Sequence, residues 1–358
     1  MIAILGLGEQ AKAIINYILK QTDEHIVTID LRNYYIDPKY NNRWIHFQTS
    51  RKLTQIFSLL SNEKEEKMTI INCLPTEYIL EATKLAVSYG WNIIDLAGVT
   101  EIEREQMKLD SDARNTGSVV VRACGIAPGI VSSFVNFFVD QYEEMLVGIK
   151  VFCGGIPKYP EYPLGYVRVF NESGVMKEYS GLAQEIKDGI QINIPTLSRL
   201  EHIFVPSLGI LEADITSGGI STTTDNLDID YFSYSTLRYP GHFQYIKNNI
   251  LNQPNPKEVL SGILPYVSAE NPDIVILRFE VETTEEIEIL DYFWEYDYQE
   301  NLSAMSQATG YISAEVALQT NDMASGVYNM EVFDPFIIRN KVREMRTEGN
   351  FSKTPIRF

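Results

Sequence analysis

The chain has 358 residues, more than one hydrophobic core usually serves, so about two domains are expected. Hydrophobic residues make up 45% and charged residues 22%, a globular composition, and 48 acidic against 30 basic residues leave a formal charge of −18. That balance excludes a nucleic-acid partner, which needs clustered Lys and Arg, but leaves a small anionic ligand open, because local backbone N–H groups override global charge.

In chain order, short apolar runs alternate with helical patterns. Ile2–Leu5 reads as a buried strand, Gln10–Leu19 as a helix, Ile26–Asp30 as a strand and Arg51–Leu60 as a helix. Glu63-Lys64-Glu65-Glu66-Lys67 reads as a solvated loop, since both signs are present. Strand Thr69–Leu74, helix Glu77–Tyr89 and strand Asn92–Leu96 repeat the alternation, and a polar-faced helix Glu101–Asn115 leads into the β-branched Ser118–Val121. This predicts an α/β fold, a doubly wound parallel sheet over residues 1–125. Beyond Cys124 the strand-like segments lengthen: Leu146–Phe152, Gly165–Phe170, Ile274–Val281 and Glu286–Tyr296, the last two alternating as antiparallel strands with one solvated face do. Ile156–Leu164 is Pro-rich and reads as a loop, and the aromatic Tyr292–Tyr298 as core or interface packing. A second α+β domain with a mixed or antiparallel sheet is therefore expected over 126–300. The segment 301–358, with a helix at Ser303–Leu318, is expected to pack back on the first domain.

Cys73, Cys124 and Cys153 form neither a metal-ligand spacing nor a disulfide framework, so no metal is expected and a reducing compartment is. The amino terminus lacks a basic n-region, Ile2–Leu5 is too short for a signal sequence, and no apolar run approaches the roughly 18 residues of a membrane span. A cytoplasmic protein without a membrane partner is the expectation.

The sharpest motif is Gly6-Leu7-Gly8-Glu9-Gln10-Ala11, directly between a strand and a helix. The first Gly permits a tight turn, the second removes a Cβ that would bump a phosphate, and the small third position lets helix and strand pack closely. A helix N-terminus there favours a pyrophosphate. The next strand ends in Asp30, 24 residues after Gly6, where an acid accepts the ribose hydroxyls of a dinucleotide. Together these predict a Rossmann-type NAD(P)-binding domain. Asp30 favours NAD by repelling a 2′-phosphate, with NADP the alternative because Arg32 could pair with one.

Other strand ends carry chemistry-bearing residues: Cys73-Leu74-Pro75, Asp95-Leu96-Ala97-Gly98 and Ala123-Cys124-Gly125-Ile126-Ala127-Pro128-Gly129. The heptad Thr236-Leu237-Arg238-Tyr239-Pro240-Gly241-His242 offers an Arg for a carboxylate and a His that titrates near neutrality. Taken alone, each strand end is equally a turn, and a lone Arg or His is usually structural.

With these pieces in view, the chain resembles the saccharopine dehydrogenase (glutamate-forming) and L-lysine 6-dehydrogenase family over nearly its whole length. The resemblance rests on the first turn, Asp30-Leu31-Arg32, Asn72-Cys73-Leu74-Pro75, Asp95-Leu96 and Cys124–Gly129. It extends to Pro163-Leu164-Gly165-Tyr166, Thr236–His242 and Ala308-Thr309-Gly310. It implies hydride transfer at a carbon–nitrogen bond of an amino acid or amine substrate, in a homodimer joined through the second domain. By position, Gly6, Leu7, Gly8, Glu9 and Gln10 would hold the pyrophosphate, and Asp30, Leu31 and Arg32 the adenosine ribose. Leu74 and Pro75 would line the nicotinamide, Asp95 and Cys124 would sit near the reacting carbon, and Arg238 with His242 would grip a carboxylate. The third turn position departs from the family in the bulkier Glu9-Gln10-Ala11.

An amine must be neutral to lose hydride, and Asp95 or His242 would accept its proton. Three other readings stand beside this one. Cys124 could be a thiolate nucleophile for an aldehyde. The chain could be a non-catalytic sensor of NAD(H), or a carboxynorspermidine-type reductase joining an amine to a semialdehyde.

Overall fold

The computed structural model describes residues 1–62 and 67–345, with Asn226 by its backbone alone. Glu63–Glu66 of the charged stretch lie outside the described residues, as does 346–358 of the carboxy-terminal segment. The described chain divides into two compact units, one built from Met1–Phe134 and residues 306–345, the other from Val135–Met305.

The first unit is a parallel sheet of seven strands among the described residues. Six are β1 (Ile2–Leu5), β2 (Ile26–Asp30), β3 (Trp44–Gln48), β4 (Thr69–Asn72), β5 (Asn92–Asp95) and β6 (Val119–Val121). With Gly326–Tyr328 on the β6 edge, the spatial order is Gly326–Tyr328, β6, β5, β4, β1, β2, β3. β1, β4 and β6 are buried along their whole length, as strands covered by helices on both faces must be. Register aligns the strand ends: Leu5 lies between Ile29 and Asn72, and Asn72 lies beside Asp95. Every residue singled out in the first half thus emerges on one carboxyl edge of the sheet. The helix α1 (Glu9–Gln21) buries Ala11, Ala13, Ile14, Ile15 and Ile18, and the helix Ala304–Gln319 packs against it. Gly310 makes that approach possible, because a Cβ there would lie 2.7 Å from the Gln10 carbonyl oxygen. Glu101–Asn115 is two helices, Thr100–Met107 and Asp110–Thr116, because the polar sequence has no long apolar stripe to hold one straight helix.

The second unit is a mixed sheet of β7 (Leu146–Pro157), β8 (Leu182–Lys187), β9 (Ile190–Pro195), β10 (Glu201–Val205), β11 (Gly209–Ile215), β12 (Tyr231–Arg238), β13 (Asp273–Thr283) and β14 (Ile287–Glu295). Its order is β10, β11, β12, β7, β13, β14, with β8 also on β12 and β9 on β8. Only β12 and β7 run parallel. Arg278 of β13 makes a two-pronged bond to Asp291 of β14 at 2.6 and 2.7 Å and donates to the Phe204 carbonyl of β10 at 2.9 Å. The sheet therefore curls until its β10 edge meets β13.

Two expectations are corrected. Gly165–Phe170 is not a strand: Tyr166, Val167 and Val169 are buried in an irregular segment whose one ladder contact is the Arg168–Tyr266 bridge, so burial and not pairing explains the apolar run. β13 does not have one solvated face, because Asp273–Phe279 are buried without alternation between β7 and β14; β14 alone alternates. Within the aromatic run, Tyr292, Trp294 and Tyr296 are buried while Tyr298 is exposed. No helix of the described residues is long and apolar enough to cross a membrane.

Candidate functional site

At the end of β1 the chain turns through Gly6, whose φ of +86° a side chain resists. The turn is pinned by the Gly6 N–H donating to the Ile29 carbonyl at 2.8 Å, and a Cβ on Gly6 would press to 3.0 Å from the Cys73 carbonyl oxygen. Gly8 is the N-cap of α1 with no side-chain cap, and a Cβ there would have nothing within 4 Å. The first-turn N–H groups consequently face open space with no side-chain acceptor of their own, the geometry that receives an anion. Exposed Glu9 does not spoil it, because Lys12 pairs with both its carboxylate oxygens at 2.8 and 2.9 Å.

Asp30 ties the next strand end to this turn. Its Oδ2 accepts the Leu7 N–H at 2.7 Å, and its Oδ1 accepts the Arg32 N–H at 2.8 Å and Nε at 3.1 Å. Arg32 closes the ring by donating to the Leu7 carbonyl at 2.9 Å. Burial alone would raise the Asp30 pKa, but the Leu7 amide and Arg32 outweigh it and hold the group below the usual carboxylate range. Leu31 is exposed. An open helix start, a turn that tolerates no Cβ at Gly6 and an ionised acid beside it together fit a dinucleotide.

Farther along the edge, Leu74 is half-buried against Gly6 and Pro75 is exposed. Asn72 is buried: its Oδ1 accepts the Leu74 N–H at 3.2 Å, while its Nδ2 has no partner among the described residues. Asp95 is buried, accepting Gln106 Nε2 at 2.8 Å and the Ala97 N–H at 3.1 Å. Burial raises its pKa to about 6 despite those donors. Cys124 is fully buried, its N–H bonded to the Asp95 carbonyl at 2.7 Å. Burial, then the Asp95 charge, push its thiol well above the ordinary cysteine range, the opposite of what a thiolate nucleophile needs.

Arg238 and His242 lie in the second unit, at the end of β12 and the start of the short helix His242–Tyr245. Glu212, opposite Arg238 in the ladder, braces that bend by accepting the Gly241 and Phe243 N–H groups at 2.9 and 2.7 Å. The buried Arg238 Nε donates to the Tyr179 hydroxyl at 2.9 Å, Nη1 donates to its neighbour's carbonyl on Leu237 at 2.8 Å, and the guanidinium stacks 4.5 Å over the Tyr166 ring. His242 Nδ1 lies 2.9 Å from the Leu164 carbonyl and must donate to it; Nε2, 3.0 Å from the Tyr179 hydroxyl, therefore accepts. Burial, then the Arg238 charge, lower the His242 pKa to about 3. Both ring nitrogens are committed in the neutral form, which makes His242 a strut for Tyr179.

The residues expected for the cofactor, with Asp95 and Cys124, thus share one sheet edge, and Arg238 and His242 form a separate cluster in the second unit. Sequence reasoning missed Gln106, Glu178 and Tyr179, which belong to no motif. Among the described residues no group of three or more His, Cys, Asp or Glu could hold a metal ion.

Residues 125–350 match the family model of the saccharopine dehydrogenase C-terminal domain. A saccharopine dehydrogenase (NADP+, L-glutamate-forming) of Pyricularia oryzae is 25% identical over 243 residues, 61% of this chain and 53% of that protein, so the match spans about half the relative's length. Among solved structures, apo saccharopine dehydrogenase (L-Glu forming) of Saccharomyces cerevisiae superposes with a TM-score of 0.74 at 15% identity, covering 96% of each chain. The homospermidine synthase of Legionella pneumophila, in complex with NAD, gives 0.73 at 12% identity over 96% of this chain and 88% of that one.

Proposed function

We propose, from the premise that the chain belongs to the saccharopine dehydrogenase C-terminal domain family, that it is an NAD-dependent oxidoreductase acting at a carbon–nitrogen bond of an amino acid or related amine. The observation that carries this reading is the Leu7–Asp30–Arg32 ring beside the uncapped start of α1. Gly6, Leu7, Gly8 and the first turn of α1 would hold the pyrophosphate, and the remaining Asp30 lone pairs the adenosine ribose. Leu74 and Pro75 would line the nicotinamide side. When bound, nicotinamide supplies the hydride acceptor or donor. Asp95, with its pKa raised to about 6, suits the proton accepted from an amine near neutral pH. Cys124 stays protonated, and within the second unit the Arg238 cluster is the candidate to meet an amine. NADP is the competing cofactor, because the Arg32 side chain is 73% exposed beside Asp30.

Calorimetric titration with NADH and NADPH tests the cofactor half, and binding of neither rejects the reading. An absorbance screen at the nicotinamide band then tests the substrate half with L-lysine, L-saccharopine, diamines and amine–semialdehyde mixtures. Diamines belong in that screen because the fold is shared with a homospermidine synthase. Nucleotide binding without turnover of any of them would favour an NAD(H) sensor.

A further inference from the structure

The Arg238 cluster shows a carboxylate outward, not the guanidinium. The Arg238 side chain is 2% exposed, whereas that of Glu178, 3.5 Å from Nη2, is 26% exposed. Arg238 already spends donors on Tyr179 and Leu237, and its face is covered by the Tyr166 ring. Glu178 is under-used by contrast: its buried Oε2 pairs with Arg238 Nη2 but accepts no hydrogen bond from any described residue, and the buried Tyr166 hydroxyl likewise has no hydrogen-bond partner among them. Glu178 also closes the helix Glu172–Glu178, where the carbonyl end of the dipole adds to the negative potential. An incoming carboxylate would meet this charge before it met Arg238.

We infer that Glu178 receives a positively charged amino group of the substrate, with Arg238 behind it as the buried counter-charge that orients the carboxylate. This deepens the amine-oxidoreductase reading and rests on its substrate half. The ligand class is a primary or secondary amine in its ammonium form, whose N–H donors suit an under-satisfied carboxylate and a phenol oxygen. Arg238 is then a positioning residue, and a carboxylate on the substrate is not required here.

The groups facing Glu178 keep its titration distinct. Arg238 and Tyr234 come from β12, Cys153 from β7, Tyr166 from the segment before the helix, and Tyr179 from the next position, with His242 behind it. Burial raises the tyrosines and Cys153 and lowers His242, so only Arg238 is charged between pH 5.5 and 8. Burial raises Glu178 itself to about 7, against the pull of Arg238. Amine affinity should therefore climb as pH rises through 7.

The test is calorimetric titration of the full chain with L-lysine, cadaverine and glutarate, alongside NADH. Both amines should bind and glutarate should not. Glu178→Gln should weaken both amines by roughly 10- to 100-fold, abolish their pH dependence and leave NADH affinity unchanged. Should loss of the charge beside Arg238 unfold the chain, Glu178→Asp keeps the charge while withdrawing it by one methylene, and should weaken the amines with an unchanged melting temperature. Amine affinities unaltered in these folded variants, or binding of glutarate but not cadaverine, would overturn the assignment. Failure of NADH alone would reject the cofactor reading and leave the Glu178 result standing.

Discussion

Two glycines in one turn separate a folding requirement from a ligand requirement. Gly6→Ala forces a side chain onto a φ of +86°, which costs about 1–2 kcal/mol. It also brings the new methyl to 3.0 Å from the Cys73 carbonyl and 3.3 Å from Leu74 Cδ2. The carbonyl has little room to retreat, since the Cys73 N–H is itself bonded to the Leu5 carbonyl at 2.8 Å. A total loss of about 2–3 kcal/mol follows, which in a unit of this size lowers the melting temperature by about 5–10 °C. Gly8→Ala differs: φ is −79° and the added methyl meets nothing within 4 Å, so only the poorer N-cap is felt, a loss of about 0.5–1 kcal/mol. The same methyl would nevertheless stand where the pyrophosphate approaches the helix start, and NADH affinity should fall by about tenfold or more. Urea unfolding and NADH titration of both variants give the four numbers. A Gly8→Ala protein that is stable and binds NADH as the wild type does would refute the placement of the pyrophosphate.

The buried charges supply the other expectations. The folded pKa of Asp95, about 6, lies above its ordinary 3.8, so its stabilising contribution is whole below pH 4 and is lost as pH rises through 6. Asp95→Asn should therefore gain on the wild type by about 2–3 kcal/mol between pH 4 and 7 in urea unfolding, helped by the otherwise unpaired Gln106 Oε1; parallel pH curves would sink the idea. Arg238→Met should cost about 3–5 kcal/mol by leaving Glu178 and Tyr179 without their buried cation, and a loss under about 1 kcal/mol would mean the cluster is not stabilised by that charge. Nitrogen chemical shifts of His242 should stay those of a neutral ring protonated at Nδ1 from pH 5 to 8, and a titration inside that range would break the relay from Arg238 to Leu164.

Much of the first unit was legible because its strands are four- or five-residue apolar runs and its one functional turn is local in sequence. Gly6, Gly8 and Asp30 could be paired by spacing alone, since a parallel β–α–β unit fixes where the second strand ends. β3 was missed because Trp44–Gln48 mixes aromatic, aliphatic and polar residues in a half-buried pattern that neither period favours. The second unit was less legible. β9 is exposed or half-buried throughout, β8 and β10 mix buried with exposed positions, and the apolar Gly165–Phe170 imitates a strand while being buried without a ladder. Arg238 and His242 stood out as chemistry, yet the residues that decide their state did not. Tyr179 bonds Arg238 across 59 positions, and nothing local in the run from Asn171 to Tyr179 announces that contact.

The net charge of −18 sharpens the contrast between the two candidate sites. At physiological ionic strength the screening length is about 8 Å, so the bulk of that charge acts on approaching ligands and little on a group already seated. An anion can therefore settle on the start of α1, because its contacts there would be backbone dipoles, the first-turn Glu9 is paired with Lys12, and Asp30 is engaged by Leu7 and Arg32. An amine is attracted at long range by the acidic surface and at short range by Glu178. A protein of this charge is thus suited to hold an anionic cofactor by its main chain and a cationic substrate by its side chains. That division assigns the two ligands to different chemistry, and it explains why one buried arginine can sit in the second unit without becoming an anion site: its charge is spent on Glu178 and Tyr179 before any ligand arrives.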